Sequence, residues 1–89
     1  MQTKAIVIRN KVGLHARPAA LFVQIAMAHE SVIKVTKANQ TGNAKSILGI
    51  LALGIQQGAE ISITAEGADE LEAIAALTNL IEGNFGEAG

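Results

Sequence analysis

One short segment places a histidine and an arginine at the predicted start of a helix. The segment Gly13–Ala20 reads GLHARPAA, and Pro18 suits a first helical turn because the N–H groups of that turn have no intrahelical partner. Such free N–H groups and the positive end of the helix dipole attract anions, and the guanidinium of Arg17 adds a planar set of donors. A neutral imidazole beside an anion site is suited to phosphoryl transfer. The pattern indicates His15 as the acceptor, with the Ala16 and Arg17 amides holding the phosphate.

The same residues also allow a purely structural interpretation. A histidine that precedes a helix can serve as its cap, and Arg17 can be a solvated side chain. On spacing alone, this alternative is as well supported as a phosphoryl acceptor at His15. A metal site is disfavoured, because the chain has one other histidine, His29, and no cysteine. We expect His29 to lie near a helix C-terminus, where its ring interacts favourably with the last carbonyl groups, and the sequence implies no metal and no cofactor.

The elements that must position this segment alternate between strands and helices. Strand-forming residues with period-two alternation predict four strands: Thr3–Ile8, Ser31–Thr36, Thr41–Asn43 and Glu60–Glu66. Helical signals predict three helices: Ala16–Ala28, Ile47–Leu53, and a last one that begins after Asp69 and ends at Gly83. One polar face on the fourth strand favours an antiparallel sheet. The order β-α-β-β-α-β-α predicts an α+β fold with three helices on one face of a four-stranded antiparallel sheet.

The last helix carries its own capping signal and apolar stripe. Asp69 is expected to cap this helix, with Glu72 three residues further on in a capping-box-like arrangement. The residues expected to face the core are Leu71, Ile74, Leu77 and Ile81. The end of the chain, residues 86–89, is expected to fray.

Length and composition restrict the classes of protein that remain. The 89 residues are 49% apolar and 17% charged, which predicts one folded domain over residues 1–89. A net charge of −1 and only two aromatic residues disfavour binding to nucleic acid. No apolar stretch approaches the roughly 20 residues needed to span a bilayer, and the N-terminus lacks the apolar region of a signal peptide. We therefore expect a cytoplasmic domain that does not insert into membranes.

The second predicted helix combines a polar cap with an apolar surface. Ser46 is suited to cap it, and the glycine that follows is suited to end it. Residues 47–53 are apolar nearly all round, although a helix of two turns can face the core with only part of its surface. Some of Ile47, Leu48 and Leu51 must therefore be exposed, and an exposed apolar cluster beside a charged site indicates a docking surface.

Two blocks of the chain together resemble the HPr family, the histidine-containing phosphocarriers of the bacterial sugar phosphotransferase system. Gly13–Ala20 matches the active-site motif of that family, and Lys45–Gly49, followed by Leu-Gly at 53–54, matches the region of its regulatory serine. The resemblance covers residues 1 to about 85 and implies an open-faced β-sandwich. It implies that His15 accepts phosphate on Nδ1 from phospho-enzyme I and passes it to the IIA domains of sugar permeases. The protein would then be a monomeric phosphoryl carrier and not an enzyme with turnover of its own.

The resemblance also implies roles for residues outside the histidine motif. An ATP-dependent HPr kinase/phosphorylase would phosphorylate Ser46 for carbon catabolite regulation, and the phosphorylated form would bind a transcriptional regulator. Ala20 would join Ile47, Leu48 and Leu51 in the surface that meets enzyme I and the IIA domains.

The first helix departs from the family pattern in its charge. Many family members carry lysines where this chain has Gln24 and Met27. Attraction to acidic partners would therefore be weaker and would depend on Lys11, Arg17 and Lys45.

Two other functions predict different behaviour. A regulatory binding module would dock through phosphorylated Ser46 and give His15 a secondary role, although related regulatory paralogues lack that histidine. A generic small-ligand domain would take up no phosphate at all and would need a pocket that so small a core hardly provides.

Overall fold

The computed structural model describes residues 1–87 and contains every predicted strand and helix, with ends that differ by no more than one residue. The strands are β1 (Gln2–Val7), β2 (Val32–Lys37), β3 (Gln40–Asn43) and β4 (Glu60–Glu66). The helices are α1 (Ala16–Met27), α2 (Ile47–Ala52) and α3 (Glu70–Glu82), and a short 3-10 turn follows at Asn84–Gly86. The predicted order β-α-β-β-α-β-α is therefore confirmed. Within residues 1–87, no helix is both long and apolar enough to cross a membrane.

The four strands form one antiparallel sheet in the order β1-β4-β2-β3. Opposed residues such as Val35 and Ile63 lie on the same face, so the register collects the apolar side chains of β2 and β4 on one side. Those buried side chains are Ile33, Val35, Ile61, Ile63 and Ala65. The three helices cover this face and leave the other, polar face open. The predicted open-faced sandwich is confirmed.

The core joins the sheet to α1 and α3, and its composition follows from the period of each element. Phe22 of α1 and Leu77 of α3 are completely buried against the apolar face of the sheet. Burying one such side chain stabilises the fold by about 1.5–3 kcal/mol. The core therefore holds α1 in place on the sheet, and the histidine motif at the start of α1 is held in place with it.

The start of α3 differs from the prediction. Asp69 occupies the N-cap position but makes no capping hydrogen bond. Its carboxylate instead accepts hydrogen bonds from the Glu30 N–H at 2.9 Å, the Ser31 N–H at 3.0 Å and the Ser31 hydroxyl at 2.5 Å. These hydrogen bonds lower the pKa of Asp69 to about 2, the bond from the Ser31 hydroxyl having the largest effect. The predicted capping box with Glu72 is therefore wrong, because Asp69 bonds across the fold to the loop before β2.

Two further predictions about the C-terminal region are corrected. Leu71 is 63% exposed, and the inward face of α3 is formed by Ala73, Leu77 and Ile81, with Ile74 partly buried against the core. Residues 86 and 87 do not fray, because Phe85 is buried and the Glu87 carboxylate accepts a hydrogen bond from the Asn10 side chain at 3.1 Å. Ala88 and Gly89, for which fraying was also predicted, lie outside the described residues.

Candidate functional site

The loop between β1 and α1 is a tight turn anchored to the segment just before β4. The Ile8 N–H donates to the Ala59 carbonyl at 2.9 Å, and the Gly58 N–H donates to the Ile8 carbonyl at 2.6 Å. The chain then turns at Asn10, whose carbonyl accepts a hydrogen bond from the Gly13 N–H at 3.2 Å. A polar residue at the first position and glycine at the fourth are typical of such a turn.

Gly13 allows the loop to approach the backbone that follows α2. Its φ is +65°, and a Cβ built there would lie 2.3 Å from the Ile55 carbonyl oxygen. The next residue, Leu14, is buried and donates its N–H to the same carbonyl at 3.0 Å. A side chain at position 13 would displace the loop, so this glycine fixes the point from which the next residue projects.

His15 projects from this anchored loop into solvent. It occupies the N-cap position of α1 with extended backbone (φ −136°, ψ 153°), and its side chain makes no capping hydrogen bond. The interpretation of His15 as a helix cap is therefore not supported by its side-chain contacts. Ala16 follows with φ +51°, a left-handed conformation that costs a non-glycine residue about 1–3 kcal/mol. Backbone strain of this size, next to an exposed side chain that makes no capping hydrogen bond, is typical of functional sites.

The N-terminus of α1 carries no compensating negative charge. Its first turn contains no acidic residue, whereas the first turn of α3 contains Glu70 and Glu72. Arg17 is exposed on that first turn, and Pro18, which is buried, contributes no N–H group. The positive end of a 12-residue helix therefore lies beside His15, and Arg17 follows two residues later on the same turn. This arrangement is suited to holding an anion next to the imidazole.

Ser46 begins α2 as predicted. Its hydroxyl oxygen accepts a hydrogen bond from the Gly49 N–H at 3.0 Å, which confirms the N-cap. The first turn of α2 also lacks acidic residues. The helix that Ser46 begins packs against both α1 and β3.

His29 and Lys45 connect α1 to the segment that carries Ser46. The His29 ring bonds through Nδ1 to the Ile25 carbonyl at 2.8 Å, which confirms its predicted position at the C-terminus of α1. The Lys45 ammonium donates to the His29 carbonyl at 2.7 Å. Lys45 is therefore tied to α1 and is less available for attracting partners than the sequence predicted. Among residues 1–87, no three His, Asp or Glu side chains come together as a possible metal site.

The apolar residues of α2 divide between the core and the surface. Ile50 and the C-cap residue Leu53 are buried, whereas Leu48 is 76% exposed and Ile47 and Leu51 are 39% and 37% exposed. Ala20 is exposed on α1. The prediction that some of Ile47, Leu48 and Leu51 are exposed is confirmed. We call these three residues and Ala20 the apolar surface.

Two further apolar residues are exposed, one at the C-terminal end of α1 and one in the turn before His15. Met27 of α1 is 65% exposed, and Val12, three residues before His15, is 51% exposed. Val12 had no predicted role, although an apolar residue inside a polar turn already indicates an exposed apolar side chain.

The fold and the site together define a class of protein. An exposed histidine without a capping hydrogen bond, an exposed arginine and an acid-free helix N-terminus occur together in an open-faced β-sandwich, as a phosphoryl carrier requires. Residues 2–83 match the family model described as the PTS HPr component phosphorylation site. The chain belongs to the HPr family of phosphocarrier proteins.

Individual relatives match this chain over nearly its whole length. The phosphocarrier protein HPr of Neisseria meningitidis serogroup A is 46% identical over 98% of both chains. The crystal structure of HPr-C-His from Thermoanaerobacter tengcongensis is 56% identical, covers 100% of both chains and has a TM-score of 0.99. A structure described as an HPr dimer from the same organism is 57% identical, covers 98% of this chain and 100% of the other, and has a TM-score of 0.80.

Proposed function

We propose that this protein is the phosphoryl carrier of a bacterial sugar phosphotransferase system. In this role, one cytoplasmic domain receives phosphate on His15 from phospho-enzyme I and donates it to IIA domains of sugar permeases. The observation that carries the proposal is the exposed His15 side chain, which makes no capping bond at the acid-free N-terminus of α1.

Acceptance of the phosphate is a substitution at phosphorus. The lone pair of His15 Nδ1 forms the new N–P bond while the bond from phosphorus to its donor atom breaks, and the electron pair of that bond leaves with the donor. Most of the charge in such a loose transition state lies on the peripheral phosphoryl oxygens. The Ala16 and Arg17 N–H groups and the Arg17 guanidinium are the donors that would stabilise those oxygens. Donation to a IIA domain is the same step in reverse, so the protein is consumed and regenerated as a carrier and is not an enzyme.

The apolar surface would supply the contacts with both partners. Ala20 on α1 and Ile47, Leu48 and Leu51 on α2 are exposed on two helices that pack together. A patch of apolar side chains beside a charged site favours association through its centre, with the surrounding charges acting as a rim. Arg17 would form part of that rim against acidic residues of enzyme I and the IIA domains.

Ser46 would carry a second, regulatory phosphorylation. Its hydroxyl already interacts with the start of α2, where a phosphate of about −2 charge would meet N–H groups and no acidic side chain. An HPr kinase/phosphorylase would introduce this group, and a transcriptional regulator would recognise it in carbon catabolite regulation. The same charge would reduce binding of partners that approach the apolar surface.

The carrier would act as a monomer. Since His15 and the apolar surface must both be accessible to two partners in turn, an assembly that covers either would interrupt transfer. Light scattering of the unmodified and the phosphorylated protein tests this proposal. A dimer that remains active in transfer would contradict it.

Labelling with enzyme I, magnesium and phosphoenolpyruvate tests the carrier function. We expect the mass of the intact protein to rise by one phosphate, which is lost in acid and retained in alkali, as for a phosphoramidate. The variant His15→Ala should take up none, whereas the matched variant His29→Ala should be labelled like the wild type. Normal labelling of His15→Ala would remove this histidine from the mechanism.

A further inference from the structure

Asn10 holds two distant parts of the chain together beneath the histidine motif. Its side chain is only 1% exposed. The amide nitrogen Nδ2 donates to the Gly13 carbonyl at 2.9 Å and to the Glu87 carboxylate at 3.1 Å. The second bond joins residues 77 positions apart. The loop that ends at His15 is thus connected to the C-terminal segment through one buried amide.

The chemistry of these partners fixes the orientation of the amide. A carbonyl and a carboxylate are both acceptors, so the nitrogen of Asn10 must face them. Its oxygen Oδ1 is buried and has no hydrogen-bond partner among residues 1–87. An unsatisfied oxygen is unfavourable in a buried position. The side chain therefore contributes to the turn through its donors alone.

The C-terminal segment follows an unfavourable path to reach Asn10. Asn84 and Phe85 both have positive φ, at 53° and 56°, and Phe85 is buried as an anchor. Left-handed backbone is unfavourable for any residue other than glycine. This strained turn brings the Glu87 carboxylate next to the buried amide of Asn10.

We propose that Asn10 and Glu87 are positioning residues for phosphoryl transfer at His15. The C-terminal segment, which carries Glu87, therefore contributes to the geometry of the site. Glu87 orients the amide of Asn10, the amide holds the Gly13 carbonyl, and Gly13 with Leu14 fixes the point from which His15 projects. The inference rests on the proposed carrier function. Neither residue touches the phosphate, and both act through the loop.

Transfer kinetics of single variants test this proposal. Enzyme I is assayed with wild type, Glu87→Ala, Glu87→Gln and the control Glu72→Ala, which removes an exposed charge from α3. Displacing a reacting group by about 1 Å can lower a rate by up to about 10²-fold, and we expect at least about a threefold loss of kcat for Glu87→Ala. KM should stay within about twofold of the wild type, because the apolar surface is unchanged. Glu87→Gln, which keeps an acceptor oxygen, should retain the wild-type kcat, as should the control.

Three kinetic results would contradict the proposed positioning role. A kcat for Glu87→Ala equal to that of Glu72→Ala would overturn the proposal. So would a loss in Glu87→Gln as large as that in Glu87→Ala, because a hydrogen bond would then not be the cause. A rise of KM without a change of kcat would overturn it too, since it would assign the residue to docking.

A double variant distinguishes the loss of this hydrogen bond from a general loss of folding. Asn10→Asp places a carboxylate against Glu87 and should lower kcat, and Glu87→Gln added to it restores a donor and should recover part of that loss. Failure of the second substitution to recover any activity in a folded protein would overturn the proposal.

Proton–nitrogen NMR spectra separate this inference from the carrier function. Glu87→Ala should shift the amide signals of residues 13–16, and Glu72→Ala should not. This readout needs no phosphate, so an unlabelled His15 in the wild type would disprove the carrier function alone. Unchanged signals would disprove the positioning role alone.

Discussion

Ser46 gives the most detailed prediction, because its two proposed roles respond differently to substitution. The hydroxyl caps α2 through the Gly49 N–H at 3.0 Å. Ser46→Ala removes that acceptor, which typically costs about 1 kcal/mol. For a domain of this size, a loss of about 1 kcal/mol lowers Tm by about 4–8 °C.

Ser46→Asp should have the opposite effect on stability. Its carboxylate keeps an acceptor at the N-cap and adds a negative charge at a first turn that has no acidic residue. Such a charge contributes about 0.3–1 kcal/mol. We therefore expect the Tm and the urea midpoint of Ser46→Asp to stay at or above those of the wild type, while those of Ser46→Ala fall.

Transfer from enzyme I should separate the two variants again. Ser46→Asp adds charge next to Ile47 and Leu48, so acidic partners should associate more slowly, with a higher KM and little change in kcat. The defect should be partly relieved at high salt, because the Debye length falls from about 10 Å at 0.1 M to about 3 Å at 1 M. Ser46→Ala should transfer phosphate normally while it remains folded.

Two results would refute this account of Ser46. A large loss of stability in Ser46→Asp would mean that the variant disrupts the cap and that electrostatic inhibition is not the explanation. Unchanged transfer in a stable Ser46→Asp would leave Ser46 as a helix cap with no part in docking.

Three further predictions concern other parts of the molecule. Arg17→Lys keeps the charge but loses the planar donors, so it should slow labelling of His15 less than Arg17→Glu does; equal rates for Arg17→Glu and wild type would exclude the guanidinium. Leu48→Ala should raise KM for enzyme I without lowering Tm, because Leu48 is 76% exposed, and a lowered Tm with unchanged KM would contradict docking there. Since the pKa of Asp69 is lowered from 3.8 to about 2, its carboxylate stabilises the fold above about pH 4, and this contribution is lost as pH falls through about 2. In acid titrations monitored by circular dichroism, Asp69→Asn should therefore be less stable than wild type at neutral pH and converge with it near pH 2; a constant difference would contradict this linkage.

The sequence predicted those features that depend on near neighbours in the chain. Ser46 was identified as a cap because serine before an apolar helical run is a local signal, and the bond to Gly49 spans three residues. The strand Glu60–Glu66 was identified by its alternation, which records directly which side chains are buried. Exposure of some apolar residues of α2, Leu48 among them, was predicted because a helix of two turns cannot bury apolar side chains on all of its sides.

Features that depend on contacts between distant segments were missed. Asp69 was predicted to cap α3, but its carboxylate bonds to Glu30 and Ser31, nearly 40 residues earlier. The hydrogen bond from Asn10 to Glu87 joins residues 77 positions apart. No local pattern indicates such a bond, and the end of the chain was therefore expected to fray. The left-handed backbone of Ala16 had no signal either, because glycine, and not alanine, is the residue that favours that conformation.

The phosphorylation site itself is tested most directly by NMR of the phosphorylated protein. After treatment with enzyme I, magnesium and phosphoenolpyruvate, proton–phosphorus correlation spectra identify the ring that carries the phosphate. The account predicts one phosphorus signal coupled to the ring protons of His15, which disappears when a IIA domain is added. Coupling to His29, or a signal that persists in the presence of IIA domains and enzyme I alike, would contradict it.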